Sequence, residues 1–204
     1  MKSKSSTLVI LFSLFFLLLS SVAVSVCAAS VVPEGFVGIP WGANRDQIIK
    51  TMNERGYTTE GTIFSRETLP STLLFKGAFG GQKCQLEFYL SNNTFYIASA
   101  SHMGMFDQER YNEQIYKQMV QQISLKYGLP QSDKITEYND NTGKIHRSGV
   151  ASWDIIDSES ADKYVIRIDL IPTDVVWLGD KSFGFVNVTY TAVSLGERLN
   201  KKEF

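Results

Sequence analysis

The stretch KCQLEFYLSNNTFYIASASH, residues 83–102, reads as a β-hairpin. Cys84, Leu86, Phe88 and Leu90 alternate with Gln85, Glu87 and Tyr89, the period of a strand that buries one face and wets the other. Asn92 and Asn93 follow, and asparagine accepts the positive φ that a two-residue turn demands. Pairing Ser91 with Thr94 and counting outward sets Cys84 opposite Ser101 and Lys83 opposite His102. Side chains alternate across a strand, so this register puts the thiol and the imidazole on opposite faces of the sheet. The most tempting nucleophile pair is thereby separated. Cys84 is expected to serve as a small buried core residue, a structural role.

The same grammar extends on both sides. Upstream, Asn44 is a good N-cap with Gln47 in the capping-box position; Ile48, Ile49 and Met52 form an apolar stripe, and Gly56 stops the helix. Strand-like segments follow at 62–66 and 73–77, and the glycine-rich run 77–81 is a hairpin tip rather than a phosphate cradle, since no helix starts there. Downstream the order restarts. Asp107 caps a helix with the stripe Tyr111, Ile115, Met119, Ile123, ended by Tyr127-Gly128-Leu129-Pro130. Four more segments span 133–138, 149–156, 163–171 and 183–193. The pattern predicts an α+β fold of two tandem helix-plus-four-strand modules, about 36–104 and 105–193. The sheet is expected to be antiparallel with the helices packed on one face, followed by a polar C-terminal tail over 194–204. Trp41 is expected to pack the lead-in against the first helix, a structural role like that of a hydrophobic staple.

Residues 1–29 read as an address. Lys2 and Lys4 precede the apolar run Leu8 to Leu19, and small residues lead to Ala29, the order of a secretory signal peptide. Residues 30–204 are then a single exported domain, periplasmic or extracellular. Two alternatives compete: an uncleaved anchor, since residues 5–32 carry no charge, and a lipoprotein signal using Cys27, for which Val26 is a poor preceding residue. Membrane contact is expected only through such an uncleaved or lipidated N-terminus.

Gly38-Ile39-Pro40-Trp41-Gly42-Ala43-Asn44 and Lys126-Tyr127-Gly128-Leu129-Pro130 resemble two signatures of small exported bacterial envelope proteins. The helix-then-sheet modules of those proteins are similar to those of β-lactamase inhibitory proteins and of the small outer-membrane assembly lipoproteins. The resemblance covers roughly residues 36–193 in pattern. It implies a binding or assembly role in the cell envelope and carries no catalytic or contact residue across. Those relatives usually open a module with a helix pair, whereas this chain shows one helix per module.

The remaining chemistry is sparse. Among 204 residues, 20 Lys and Arg balance 21 Asp and Glu, which argues against a nucleic-acid partner. The two histidines, His102 and His146, lack metal-ligand spacing, and no nucleophile elbow or phosphate loop occurs. No catalytic, cofactor-binding or metal residue is therefore expected. Asp154, Arg167 and Asp169 point outward, with Asp154 and Arg167 placed for a surface ion pair. The segment 173–180 reads as a loop carrying Val175, Val176, Trp177 and Leu178, either an exposed partner contact or a lid over the core's open end. The leading functional expectation is a noncatalytic exported or envelope protein that binds another protein or an envelope component. The alternatives are a small exported hydrolase with an unrecognisable site and a carrier of an apolar ligand.

Overall fold

The structure, a computed structural model, describes residues 31–63, 71–103, 109–178 and 181–201; the expected signal peptide and its cleavage point lie outside them. A short hairpin of β1 (Gly35–Phe36) and β2 (Ile39–Pro40) leads into α1 (Arg45–Glu54). β3 (Thr58–Ile63), β4 (Ser71–Phe79), β5 (Gln82–Ser91) and β6 (Thr94–Met103) follow. After α2 (Glu109–Tyr127) come β7 (Ser132–Asn139), β8 (Ile145–Ile156), β9 (Lys163–Leu178) and β10 (Lys181–Ala192), then α3 (Val193–Asn200). The fold is α+β: β3 to β10 form one antiparallel sheet in the order β3-β4-β5-β6-β10-β9-β8-β7.

Local chemistry sets the ends of these elements. At α1 the Asn44 side chain accepts from the Gln47 N–H at 2.9 Å, and the Gln47 side chain accepts from the Asn44 N–H at 2.8 Å. Such a reciprocal cap is worth about 1 kcal/mol. The Arg45 N–H donates to Asn93 Oδ1 at 3.1 Å, which ties the helix start to the β5–β6 turn. That turn holds Asn92 at φ 49 and Asn93 at φ 58, the geometry a two-residue hairpin requires.

One core joins the helices to the sheet. Ile48 and Met52 of α1 and Ile115, Tyr116, Met119 and Ile123 of α2 share a buried cluster with Phe75, Leu86, Phe88, Phe95, Trp153, Ile166 and Val188. Phe88 meets Phe36, Phe75 and Phe95 edge-on, at centroid distances of 5.9, 5.8 and 5.4 Å. Trp153 lies opposite Ile166. Its indole N–H donates to the Gly128 carbonyl at 2.8 Å and fastens the end of α2 to β8. Gly149 leaves room for the Tyr116 ring, since a Cβ there would stand 3.2 Å from the ring carbon bearing the hydroxyl.

Two segments differ from expectation. The supposed polar tail folds as α3, burying Leu199, while Arg198 grips Asp162 at 2.6 and 3.3 Å. Its helix signals are weak, because Ala192 gives no side-chain cap and Gly196 interrupts the interior. Glycine suits that position: a Cβ would lie 2.8 Å from the Tyr96 ring. The second difference is the expected loop at 173–180, because β9 continues through Leu178. Val176, Trp177 and Leu178 pair with Phe183, Ser182 and Lys181. The ladder is interrupted between Ile171 and Val176, where Pro172 brings no N–H. The side chains of Val175, Val176, Trp177 and Leu178 lie outside the described residues.

Candidate functional site on the polar face of the sheet

The strand registers stack side chains into rows. One row runs Lys76, Gln85, Ser101, Asn187, Asp169, Val150 and Lys134; the next runs Leu74, Glu87, Ser99, Thr189, Arg167, Ser152 and Ser132. Leu86, Ala100, Val188, Ile168 and Ala151, between these rows along the strands, are buried on the opposite side. Alternation therefore turns both rows away from the core. All but Ser99 keep contact with solvent.

The polar groups on this face hold one another in place. Ser101 Oγ donates to Asn187 Oδ1 at 3.0 Å, and Asn187 Nδ2 donates to Thr189 Oγ1 at 3.1 Å. Gln85 Nε2 donates to Glu87 Oε1 at 2.8 Å, and the Tyr89 hydroxyl donates to the other carboxylate oxygen. Burial, with Glu87 beside it, pushes the Tyr89 phenol up to about 12. Arg167 Nη2 lies 2.7 Å from Asp169 Oδ1, so the expected Asp154–Arg167 pair is not the one formed. The register does set Asp154 diagonal to Arg167 as expected, with Asp154 opposite Val165 and Arg167 opposite Ser152, but the guanidinium turns along its own strand to Asp169. Side chains fixed in this way lose less rotamer freedom when a partner arrives. Lys76, Lys134 and Arg167 stand against Glu87 and Asp169, a mixture suited to a polar protein surface rather than to a polyanion.

The Cys84–His102 geometry is corrected. Ser91 pairs with Thr94 and Leu90 with Phe95, but Tyr89 pairs with Ile97. Tyr96 is the extra residue of a β-bulge, and every pair beyond it moves by one. Gln85 faces Ser101, and the same register carried one step further sets Cys84 against His102. Both lie on the buried side, at 9% and 1% exposure. Burial pushes the thiol up to about 12, opposed by a hydrogen bond from the Phe79 backbone. Burial also holds the imidazole below its ordinary value, against a weaker pull from the Lys83 backbone. A nucleophilic pair needs a thiolate beside an imidazolium, and desolvation disfavours both ions. The two residues are core neighbours.

Other candidates fall elsewhere. Trp41 meets the sheet, its rings 4.9 Å from Phe95 and 6.4 Å from Tyr164, and its indole N–H donates to the Pro33 carbonyl at 2.6 Å. The residue before the N-cap is Ala43, so Trp41 sits too far upstream for a staple. His146, read only as half of a missing metal pair, is buried, 2.9 Å from Asp140 Oδ2 and stacked on Tyr138. Asp140 Oδ1 also accepts from the Thr142 N–H at 2.8 Å, the Thr142 hydroxyl at 2.6 Å and the Lys144 N–H at 2.9 Å. The Thr142 hydroxyl first, and His146 next, hold that carboxyl well below the usual carboxylate range. The signal for this turn was Asp140 two residues before Thr142, the spacing of an Asx turn.

Ionisable groups converge at one small cleft of about 200 Å³, lined by Asn112, Glu113, Ile145, Arg147, Leu170 and Pro172 among others. Arg147 bridges Glu113 at 2.8 Å and Glu137 at 2.7 Å, and Lys117 reaches Glu113 at 2.6 Å. Lys117 first, then Arg147, keeps the Glu113 pKa low. A carboxylate so paired is a poor proton donor or acceptor near neutrality. No protein-family model, curated protein or solved structure matches this chain.

Proposed function

We propose that this chain is a noncatalytic exported protein that binds another protein or an envelope component through the polar face of its sheet. The observation carrying this reading is the pair of solvent-facing rows whose hydrogen bonds fix Gln85, Glu87, Ser101, Asn187 and Thr189. The residues 1–29 support export. The resemblance of residues 38–44 and 126–130 to small envelope proteins supports an assembly or inhibitory style of binding, with no residue role transferred.

The finer architecture belongs to the same proposal. We read the sheet as two helix-plus-four-strand modules meeting at β6 and β10, with α1 and α2 on the face opposite the polar rows. Support comes from a strand order in which the first four strands run inward and the last four return. The buried stripes of both helices support it as well.

Co-purification from an envelope extract tests the binding reading. Tyr89→Ala combined with Arg167→Glu is expected to cut partner recovery at least tenfold while the thermal midpoint stays within a few degrees. Lys50→Glu, at an exposed position of α1, is expected to leave recovery unchanged. Equal recovery from all three proteins would refute the proposal.

A further inference from the structure

The pair that fails as a nucleophile lies on the core side of the sheet, away from the polar rows, and its geometry suits another chemistry. Cys84 and His102 face each other across β5 and β6 once the observed register is carried one step past Gln85 and Ser101. Both side chains are buried, and cross-strand partners of this kind hold their Cβ atoms about 5 Å apart. Phe79 lies beside both. Its backbone hydrogen-bonds the sulfur, and its ring centroid is 6.4 Å from that of the imidazole.

The imidazole is the anomaly. His102 is 1% exposed, yet neither ring nitrogen makes a hydrogen bond of normal geometry. The Lys83 backbone acts on the ring, but less than burial does. Buried polar side-chain atoms nearly always have a partner, so ring nitrogens without one, opposite a buried thiol, are matched to a group that both residues can hold. The row Gly77, Cys84, His102 and Val186 brings no carboxylate to the pair. Among the described residues no group of three His, Cys, Asp or Glu side chains gathers as a metal cage. The donor set is one soft sulfur and one imidazole nitrogen.

We propose that Cys84 Sγ and one ring nitrogen of His102 bind a single Cu(I) ion in two-coordinate geometry. The thiol proton leaves to solvent as the sulfur–copper and nitrogen–copper bonds form. Copper stays monovalent throughout, so no oxidant or reductant is consumed. Bonds of about 2.3 and 2.0 Å separate the two donors by about 4 Å, within reach of side chains on opposed Cβ atoms. Charge selects the ion. Thiolate, Cu(I) and neutral imidazole sum to zero, whereas a divalent ion leaves a net positive charge in an apolar core. Softness agrees, since thiolate favours Cu(I) and two donors do not complete the four-coordinate shell of zinc. Burial keeps the imidazole neutral, the form that binds a metal.

Titrating a copper-loaded chromogenic Cu(I) chelator, under anaerobic reducing conditions, tests this. The chain used carries Cys27→Ser, so that Cys84 is its single cysteine. It is expected to withdraw one equivalent of copper. Cys84→Ala and His102→Leu, each made in that background, should weaken withdrawal at least 100-fold. Cu(I) should also raise the thermal midpoint of the parent and leave that of Cys84→Ala unmoved; each protein is compared with itself, so a change in basal stability does not mask the result. X-ray absorption at the copper edge should show one sulfur and one nitrogen. No withdrawal of copper would overturn the proposal, as would binding indifferent to both substitutions. A shell of two or more sulfurs would give the ion to methionines and overturn it. Tighter binding of Zn(II) than of Cu(I) would overturn it too.

Discussion

Phe88 and Tyr89 are adjacent on β5 and face opposite sides, so alanine at each position separates core from recognition face. Phe88 is fully buried and meets three phenyl rings edge-on within 6 Å. Phe-to-Ala changes in cores cost about 3–5 kcal/mol, and three edge contacts place this one near the upper end. Tyr89 is only partly buried and donates one hydrogen bond to Glu87. Its loss is worth about 1 kcal/mol. With a urea m-value of about 2 kcal/mol/M, Phe88→Ala should lower the unfolding midpoint by about 2 M and Tyr89→Ala by about 0.5 M. Urea titration followed by tryptophan fluorescence reads both. Comparable shifts, or a larger one at Tyr89, would refute the sidedness on which the polar face rests.

His102 titrates below its ordinary 6.5 in the folded chain because it is buried, so the unfolded chain takes the proton first. The stability it supports is present above about pH 6.5 and drains as the pH falls; His102→Leu should flatten that loss in urea titrations between about pH 7 and 5. Asp140 is depressed below its ordinary 3.8 by Thr142 and His146, so its contribution is present above that pH and fades below it. The stability gap between the parent and Asp140→Asn should therefore close as the pH is lowered from 6 toward about 2, and a constant gap would contradict the assignment. Cys84, with its thiol at about 12, should react with a thiol reagent at pH 8 more than about 100-fold slower in the folded protein than in urea. If residues 1–29 are a cleaved signal, as proposed, intact-mass measurement of the chain from its native source should show a start at Ser30, and a mass retaining residues 1–29 would favour the anchor.

The sheet was legible because alternation and turn chemistry agree locally. Asn92-Asn93 fixed the hairpin turn, and Asn44 with Gln47 fixed the start of α1. The register was not legible past the turn, because no local residue signal marks the bulge at Tyr96, whose ring lies close to Gly196 of α3. One inserted residue then reverses which side His102 occupies, while Cys84 stays put. The helix α3 escaped notice for a related reason, since its support comes from Tyr96 and Asp162 rather than from caps or propensity. The extension of β9 was hidden by Pro172, which ordinarily ends a strand but here coincides with an interruption that the ladder resumes beyond. Of the candidate site, the outward residues of β5 were readable from sequence alone. Their union with Asn187 and Arg167 was not, because it needs the order in which β6, β10 and β9 lie side by side.

Site-specific photocrosslinking in the living cell addresses the binding claim most directly. A benzophenone side chain placed at Gln85 or Asn187 should trap one discrete partner, while the same group at Lys50 or Asn53 on α1 should trap none. Adducts of equal yield from both sides, or adducts from α1 alone, would contradict recognition through the polar rows.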